Sequence, residues 1–325
     1  MAQSKHPSLT DAVAEKLLDL GADLVGFAPV ERFANAPEGH RPTDYLPDCR
    51  TVISIGLHIF QGMADVWGEH DEPGKSITPY LFYGFGLTNM EGARIVNTMA
   101  KLLERNGHRT LCFLPTWPTS NWKHAEKAAT DNKLVAEFSH RHAAVAAGIA
   151  QLGWSGMALT PEFGPMQRFN TILTSADLEP SPLYDGPALC VPEACGRRCV
   201  TLCPAGALSH TEGQSFTIDG RTTTYSTHDN IRCVYAVQGL VKGSGGRVDV
   251  QIPDGPGRTS EMAAVIARHP MHPHEQKMRE NSPGIICGNF CGKCLHQCVS
   301  KKVARKGLAQ ARLGPRRSSV GRAWA

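Results

Sequence analysis

The chain has no apolar run near the roughly 18 residues that would make a membrane span, and no basic segment followed by an apolar stretch at its start. Neither a secretion signal nor a twin-arginine pattern is present, so the sequence predicts a cytoplasmic protein with no membrane partner. There is no GxGxxG after the first strand-like run and no GxxxxGK[ST], which excludes the two commonest phosphate-cradling loops. Charge is moderate, with 20% Asp, Glu, Lys and Arg against 41% hydrophobic residues, and this balance excludes a disordered chain. Acids are missing altogether from Ser300 onward, where eight Lys and Arg fall. The remainder has 26 basic and 30 acidic residues, so the net +4 describes a mildly acidic body with a basic end. Such an end suits nucleic acid or an acidic redox partner, and equally a solvated tail.

What the chain does have is cysteine. Nine of its eleven lie between positions 190 and 298. The first group, Cys190-Val-Pro-Glu-Ala-Cys195-Gly-Arg-Arg-Cys199-Val-Thr-Leu-Cys203-Pro204, has the spacing C-x4-C-x3-C-x3-C-P. The last is Cys287-Gly-Asn-Phe-Cys291-Gly-Lys-Cys294-Leu-His-Gln-Cys298, and Cys233 stands between them. A reducing compartment disfavours disulfides. Structural zinc prefers paired C-x2-C units, of which only Cys291 to Cys294 is one. A cysteine followed by proline is the form that serves a second cluster in two-cluster ferredoxins. The pattern therefore favours two [4Fe–4S] clusters with eight ligands, zinc being the alternative. Matching C-x2-C-x3-C selects Cys291, Cys294 and Cys298 and leaves Cys287 spare. Cys49 and Cys112 read as ordinary buried thiols.

Upstream, Ser8, Thr10 or Asp11 caps a helix with Val13, Leu17 and Leu20 on one face and Gly21 as its stop. Leu24–Phe27, Thr51–Leu57, residues 109–114 and Phe169–Thr174 read as strands, and Met90–Arg105 as a helix ended by Asn106-Gly107. Helices alternating with strands predict an α/β (α+β) layered domain. Residues 139–152 read as one small-residue helix, followed by a turn at Gly153-Trp154-Ser155-Gly156. Residues 179–187 read as a linker, and 209–230 and 240–286 as unpatterned insertions.

The runs Leu152-Gly-Trp-Ser-Gly156 and Leu159-Thr-Pro-Glu-Phe-Gly-Pro-Met-Gln-Arg-Phe169, together with the CP-terminated cysteine group, resemble cobalamin-dependent reductive dehalogenases and their relatives the epoxyqueuosine reductases. The openings Leu20–Pro29 and Tyr45–Ser54 are similar as well. The resemblance implies a cobalamin-binding domain over residues 1–185, a ferredoxin-like double-cluster module with insertions over 186–300, and a basic tail over 301–325. It implies base-off cobalamin, consistent with the lack of a D-x-H-x-x-G signature. By analogy, Cys190, Cys195, Cys199 and Cys298 hold one cluster, and Cys203, Cys233, Cys291 and Cys294 the other. Gly148, Gly153, Trp154 and Gly156 become candidates for close corrin approach. Reductive cleavage also needs a proton. Glu137 occupies the place of the relatives' acid, with His140 and His142 beside it. Tyr83 is a candidate phenolic donor and Arg168 a substrate-orienting cation. The chain departs from the family pattern after its last cysteine, Cys298, where Val299 stands in place of the usual proline.

Three functions follow as expectations. The first is reductive cleavage of a carbon–heteroatom bond in a small organic substrate, fed by an external donor such as ferredoxin or flavodoxin. The second is epoxyqueuosine reduction on tRNA, for which the basic tail speaks. The third is non-catalytic electron transfer or corrinoid activation.

Overall fold

Ser8 opens the first helix by accepting from the Asp11 backbone N–H, while the Asp11 carboxylate accepts from the Ser8 N–H, a reciprocal cap that satisfies two orphan donors. The computed structural model describes residues 8–66, 79–115, 136–246, 248–269 and 291–298; Cys287 and the basic segment 301–325 lie outside them. Helix α1 (Leu9–Asp19) is followed by strand β1 (Leu24–Pro29), the short helix α2 (Pro42–Tyr45), strand β2 (Thr51–His58) and helix α3 (Gln61–Val66). A π-helical stretch, Tyr80–Leu87, runs into α4 (Thr88–Arg105), and β3 (Thr110–Cys112) follows. Then come α5 (His140–Ala146), β4 (Gln151–Leu152), β5 (Ala158–Leu159) and β6 (Gln167–Thr174).

The main sheet has the order β1-β2-β6-β3, and every pairing in it is antiparallel. The architecture is therefore α+β, not a parallel α/β sheet. Period-two alternation sends Val25, Phe27, Ile53, Ile55, Leu57 and Ile172 to one face, where they meet Val13 and Leu17 of α1 and Ile95, Met99 and Leu103 of α4. Burial of each such side chain stabilises by about 1.5–3 kcal/mol. Helix α5 covers the opposite face with Ala143, Ala146 and Ala147, beside Val52 and Leu173. These small residues allow very close approach: a Cβ on Gly26 would lie 2.3 Å from the Ala147 carbonyl oxygen.

The small-residue helix expected over 139–152 ends at Ala146. Gly148 takes φ +75°, which breaks the helix, and the chain returns to extended form at Gln151. Cys49 is buried, but Cys112 is exposed, contrary to expectation.

Beyond the linker lie α6 (Pro192–Cys195), α7 (Arg198–Thr201), strands β7 (Leu208–Ile218) and β8 (Arg221–His228), and helices α8 (Asn230–Val237), α9 (Thr259–Arg268) and α10 (Lys293–His296). The insertion read as unpatterned at 209–230 is thus a long hairpin. Its turn is Asp219-Gly220, both left-handed at φ 47° and 74°, as a two-residue turn requires. Phe216 and Ile218 pack with Phe33 and Phe138 of the sheet domain. Arg32 fixes the contact by bonding Asp219 at 2.7 Å and donating to the carbonyls of Ala146 and Ser181 at 2.7 and 2.8 Å. Among the described residues, no helix is long and apolar enough to cross a membrane.

Candidate functional site

Two thiol groups stand side by side at the edge of the sheet domain. Cys190, Cys195, Cys199 and Cys298 line one narrow cleft with Gly153, Trp154 and Arg197. The loop carrying the first three reverses sharply at Gly196 and Arg197, both left-handed at φ 61° and 49°. Cys203, Cys233 and Cys291 pack against a separate apolar cluster formed by Ala205, Ile231, Tyr235 and Leu240. Burial pushes the Cys294 thiol up to about 12, reinforced by Cys291 and Cys203. The Cys233 thiol is driven well upward by burial and by Cys294, Cys291 and Cys203. Burial, then Cys294, Cys298, Cys190 and Cys195, raises Cys199 to about 12. The two groups adjoin at Cys199, whose thiol lies within electrostatic reach of Cys294.

Deeply buried thiols surrounded by other thiols favour the neutral form unless a cation compensates. Backbone amides already aim at the sulfurs: Trp154 N–H donates to Cys190 Sγ at 3.2 Å, and Ala207 N–H to Cys203 Sγ at 3.3 Å. Donors of this kind tune cluster-bound thiolates. Among the described residues, no three Cys, His, Asp or Glu side chains close on one point as a single-ion site requires. A four-iron cube makes a different demand, because each thiolate binds its own corner. The donor set fits the cube.

A cavity of about 310 Å³ is joined to the second group through Arg168 and Tyr80. Phe85, Phe113, Phe138 and Phe169 give it aromatic walls, and Glu137, His140, Arg141 and Arg168 supply polar edges. Arg168 lies over the Phe85 ring at 4.6 Å and donates to the Tyr80 hydroxyl at 2.7 Å. Tyr80 is buried behind it, edge-on to the His296 ring at 5.1 Å. Its phenol is raised by burial, opposed by Arg168, and raised further by Cys294 and Cys291, so it stands between the cavity's arginine and the second thiol group. Tyr83, by contrast, is 50% exposed, rests on Phe82 and is absent from the cavity lining. Tyr80 carries no spacing signal that would have singled it out.

His140 has both ring nitrogens engaged. A carbonyl only accepts, so Nε2 donates to Leu114 O at 2.9 Å, and Nδ1 pairs with the Thr171 hydroxyl at 2.7 Å. Burial lowers its pKa and keeps it neutral. The ring therefore braces the wall. Glu137 lines the cavity, and its backbone carbonyl accepts from the Tyr45 hydroxyl at 2.8 Å.

A second cleft, of about 620 Å³, shares Arg141 with the first and is walled by His142, Ser155, Gly156, Gln214, Tyr225 and His228 among others. Arg141 donates to the Gly156 carbonyl at 2.7 Å. Burial, then the Arg141 charge, lowers His142 and His228 to about 4 each. The cleft thus presents neutral hydrogen-bonding groups, the Arg141 cation, and the Asp229 carboxylate, which accepts from the Ile231, Arg232 and Gly257 backbone N–H groups.

Of the glycines singled out for corrin approach, Gly148 is occupied by the chain itself, since a Cβ there would lie 1.9 Å from the Pro182 carbonyl oxygen. Gly153 sits under Leu159 and beside Cys190, and Gly156 beside Tyr225 and Arg141. Trp154 donates from Nε1 to Ser209 O at 3.1 Å and carries the Arg197 guanidinium over its ring at 4.7 Å.

Comparison with protein-family models found no match, and comparison with curated protein sequences found none either. Among solved structures, the chain is similar to a reductive dehalogenase described in terms of B12-dependent dehalogenation, at 16% identity and TM-score 0.51, over 89% of this chain and 39% of that one. It is also similar to the catabolic reductive dehalogenase NpRdhA in complex with 3-bromo-4-hydroxybenzoic acid, at 17% identity and TM-score 0.51, over 86% and 37% of the two chains. An epoxyqueuosine reductase from Bacillus subtilis matches at 15% identity and TM-score 0.49, over 91% and 80%. The chain spans well under half the length of the dehalogenases, and what it shares with them at this identity is the fold.

Proposed function

We propose that the protein is a cobalamin- and iron–sulfur-dependent reductase that cleaves a carbon–heteroatom bond in a small organic substrate. The observation that carries this reading is the adjacency of the second of two cysteine groups to an aromatic cavity through Tyr80, Arg168 and Arg141, on a fold shared with reductive dehalogenases. Cys190, Cys195, Cys199 and Cys298 would hold one cluster, and Cys203, Cys233, Cys291 and Cys294 the other. The paired clefts around Arg141 suit a large, amide-rimmed cofactor, because Ser155, Gln214, Tyr225 and Thr227 offer hydrogen bonds without added charge. When bound, the clusters supply electrons and cobalamin supplies the strongly reducing centre.

The chain's own residues do the rest. The phenylalanine walls exclude water and hold an apolar or aromatic substrate. Arg168, immobilised by Phe85 and Tyr80, orients the polar substituent. The net reaction consumes two electrons and one proton, giving the reduced carbon and the departing anion. Glu137, which lines the cavity, delivers that proton, because His140 is committed at both nitrogens.

Anaerobic reconstitution tests this directly. It should yield about eight irons per chain with two distinguishable reduced clusters, and one cobalamin with a base-off spectrum. Zinc in place of iron, or no cobalamin bound at micromolar concentration, would sink the proposal.

A further inference from the structure

We infer that Ser139, His142 and Tyr225 form a proton relay joining the larger cleft to the aromatic cavity. The inference rests on the function proposed above, which consumes a proton for every bond cleaved. Three observations carry it.

The first is continuity. His142 Nδ1 pairs with the Ser139 hydroxyl at 2.6 Å, and Nε2 with the Tyr225 hydroxyl at 3.4 Å. Ser139 lines the aromatic cavity together with Glu137, while His142 and Tyr225 wall the larger cleft. The three side chains therefore cross from one space to the other in a single file of hydrogen bonds. The outer link is the longer, and catalytic hydrogen bonds of this kind tighten when substrate binds.

The second observation is the kind of partner at each nitrogen. A hydroxyl both donates and accepts, whereas a carbonyl only accepts. His142 has a hydroxyl at each nitrogen. His140, on the same helix, has a hydroxyl at one and the Leu114 carbonyl at the other, so it has no path for a proton beyond the carbonyl. Burial, then the Arg141 charge, lowers His142 to about 4. The ring therefore keeps one N–H and one lone pair, as a relay requires. Burial raises the Tyr225 phenol against the pull of Arg141, which keeps it protonated. The other titratable groups of the cleft are His228, also lowered to about 4, and Asp229.

The third observation is fixed geometry. Ser139 caps α5, its oxygen accepting from the His142 backbone N–H at 3.4 Å. Phe216 and Tyr225 of the hairpin hold the imidazole edge-on, with ring centroids 4.7 and 5.8 Å away.

The step moves protons only. The Ser139 O–H bond breaks, and its proton goes to the Glu137 carboxylate spent in the reaction. The His142 Nδ1–H bond breaks and restores the Ser139 O–H. The Tyr225 O–H bond breaks and forms the His142 Nε2–H. A hydronium from solvent at the larger cleft restores the Tyr225 O–H and leaves water. One proton enters, one is delivered, the ring changes tautomer, and no electron is transferred.

The test uses the full chain with both clusters loaded and oxidised, its histidines labelled with nitrogen-15 for NMR. The His142 signals, identified by their loss in His142→Gln, should report a neutral ring exchanging between its two tautomers. Tyr225→Phe keeps the ring that packs on Phe216 and His142, removes the hydroxyl, and should leave a single tautomer. Ser139→Ala should do the same, and Ser139→Thr, which keeps the hydroxyl and the cap, should restore exchange. A ring fixed in one tautomer in the unaltered chain, or one that still exchanges in Tyr225→Phe, would overturn the relay while leaving the proposed function standing. With cobalamin bound and a brominated phenol as the probe, Tyr225→Phe and Ser139→Ala should lower kcat about tenfold. KM, iron content and EPR signals should be unchanged, the solvent deuterium isotope effect on kcat should rise, and Ser139→Thr should recover the rate. An undiminished kcat in Tyr225→Phe would also overturn the relay. A loaded chain that releases no bromide would instead overturn the cleavage reading, and the tautomer spectra would still decide the relay.

Discussion

Gly148→Ala separates a glycine that serves packing from one that serves a cofactor. Gly148 is buried at the end of α5 with φ +75°, and a Cβ would stand 1.9 Å from the Pro182 carbonyl oxygen. A left-handed backbone carrying a side chain costs about 1–2 kcal/mol. Forcing a methyl group into backbone adds about 1–3 kcal/mol, giving about 2–5 kcal/mol in all. Gly39 is the control, because it has φ +81° with nothing within 4 Å of its would-be Cβ. Gly39→Ala should lose only the backbone part, about 1–2 kcal/mol. For a chain of this size the Gly148 variant should melt about 5–15 °C lower. Calorimetric melts of the cofactor-free protein, compared across the two variants, provide the measurement. Equal losses in the two would refute the Pro182 contact. Unchanged stability with lost cobalamin binding would return Gly148 to the cofactor.

Four further outcomes follow from the geometry. Arg32 is only 10% exposed and ties α5, the 179–187 segment and the hairpin together, so Arg32→Met should cost about 1.5–3 kcal/mol and open the Asp219-Gly220 turn to limited proteolysis. Tyr80→Phe deprives the Arg168 guanidinium of its acceptor and should lower stability by about 1.5–3 kcal/mol in urea titrations, with KM rising more than kcat falls. His142 and His228 are held near 4, below the ordinary value of 6.5, so the folded state favours their neutral forms. Their contribution is complete above about pH 6.5 and is lost as pH falls toward about 4, on the order of 3 kcal/mol for each; urea midpoints across that window should drop, and His142→Gln should reduce the slope. Cys190→Ala and Cys294→Ala should each retain about half the iron, with different EPR signals surviving in the two.

Much of the sheet domain was legible because its signals are local. Ser8 and Asp11 write both halves of a cap, and Val13 and Leu17 recur at helical spacing. Ile95, Met99 and Leu103 do the same for α4, which ends in Asn106 and a left-handed Gly107. Uninterrupted apolar runs marked β1 and β2 because both their faces are covered. Strand direction was not legible, since alternation of helices and strands does not fix it and the antiparallel order depends on β6 entering between β2 and β3. The hairpin was missed for a chemical reason. Its outer face is a row of hydroxyls, with Ser215 bonded to Thr224 and Thr217 to Thr222, and only Phe216 and Ile218 supply apolar alternation. The Asp219-Gly220 pair was the available signal.

The candidate site divides along the same line. Cysteine spacing is local, so the groups that could hold clusters were readable from the chain, whereas the neighbours of those groups come from distant segments. Tyr80 and Tyr83 are three residues apart on one π-helical stretch, yet one is 3% exposed and the other 50%. Nothing in Tyr-Leu-Phe-Tyr-Gly-Phe states which tyrosine turns inward. That choice is made by Arg168, which arrives from β6 88 residues later and offers its guanidinium to Tyr80. Arg141 is similar: its sequence context reads as the first turn of a helix, and its place between two clefts depends on the Gly156 carbonyl. Both arginines enter the cavity lining without a carboxylate partner among the described salt bridges. The Arg168–Tyr80 contact, made only when β6 meets the π-helical stretch, is therefore what turns Tyr80 inward behind the cavity's arginine and leaves Tyr83, one of the candidate donors, on the surface.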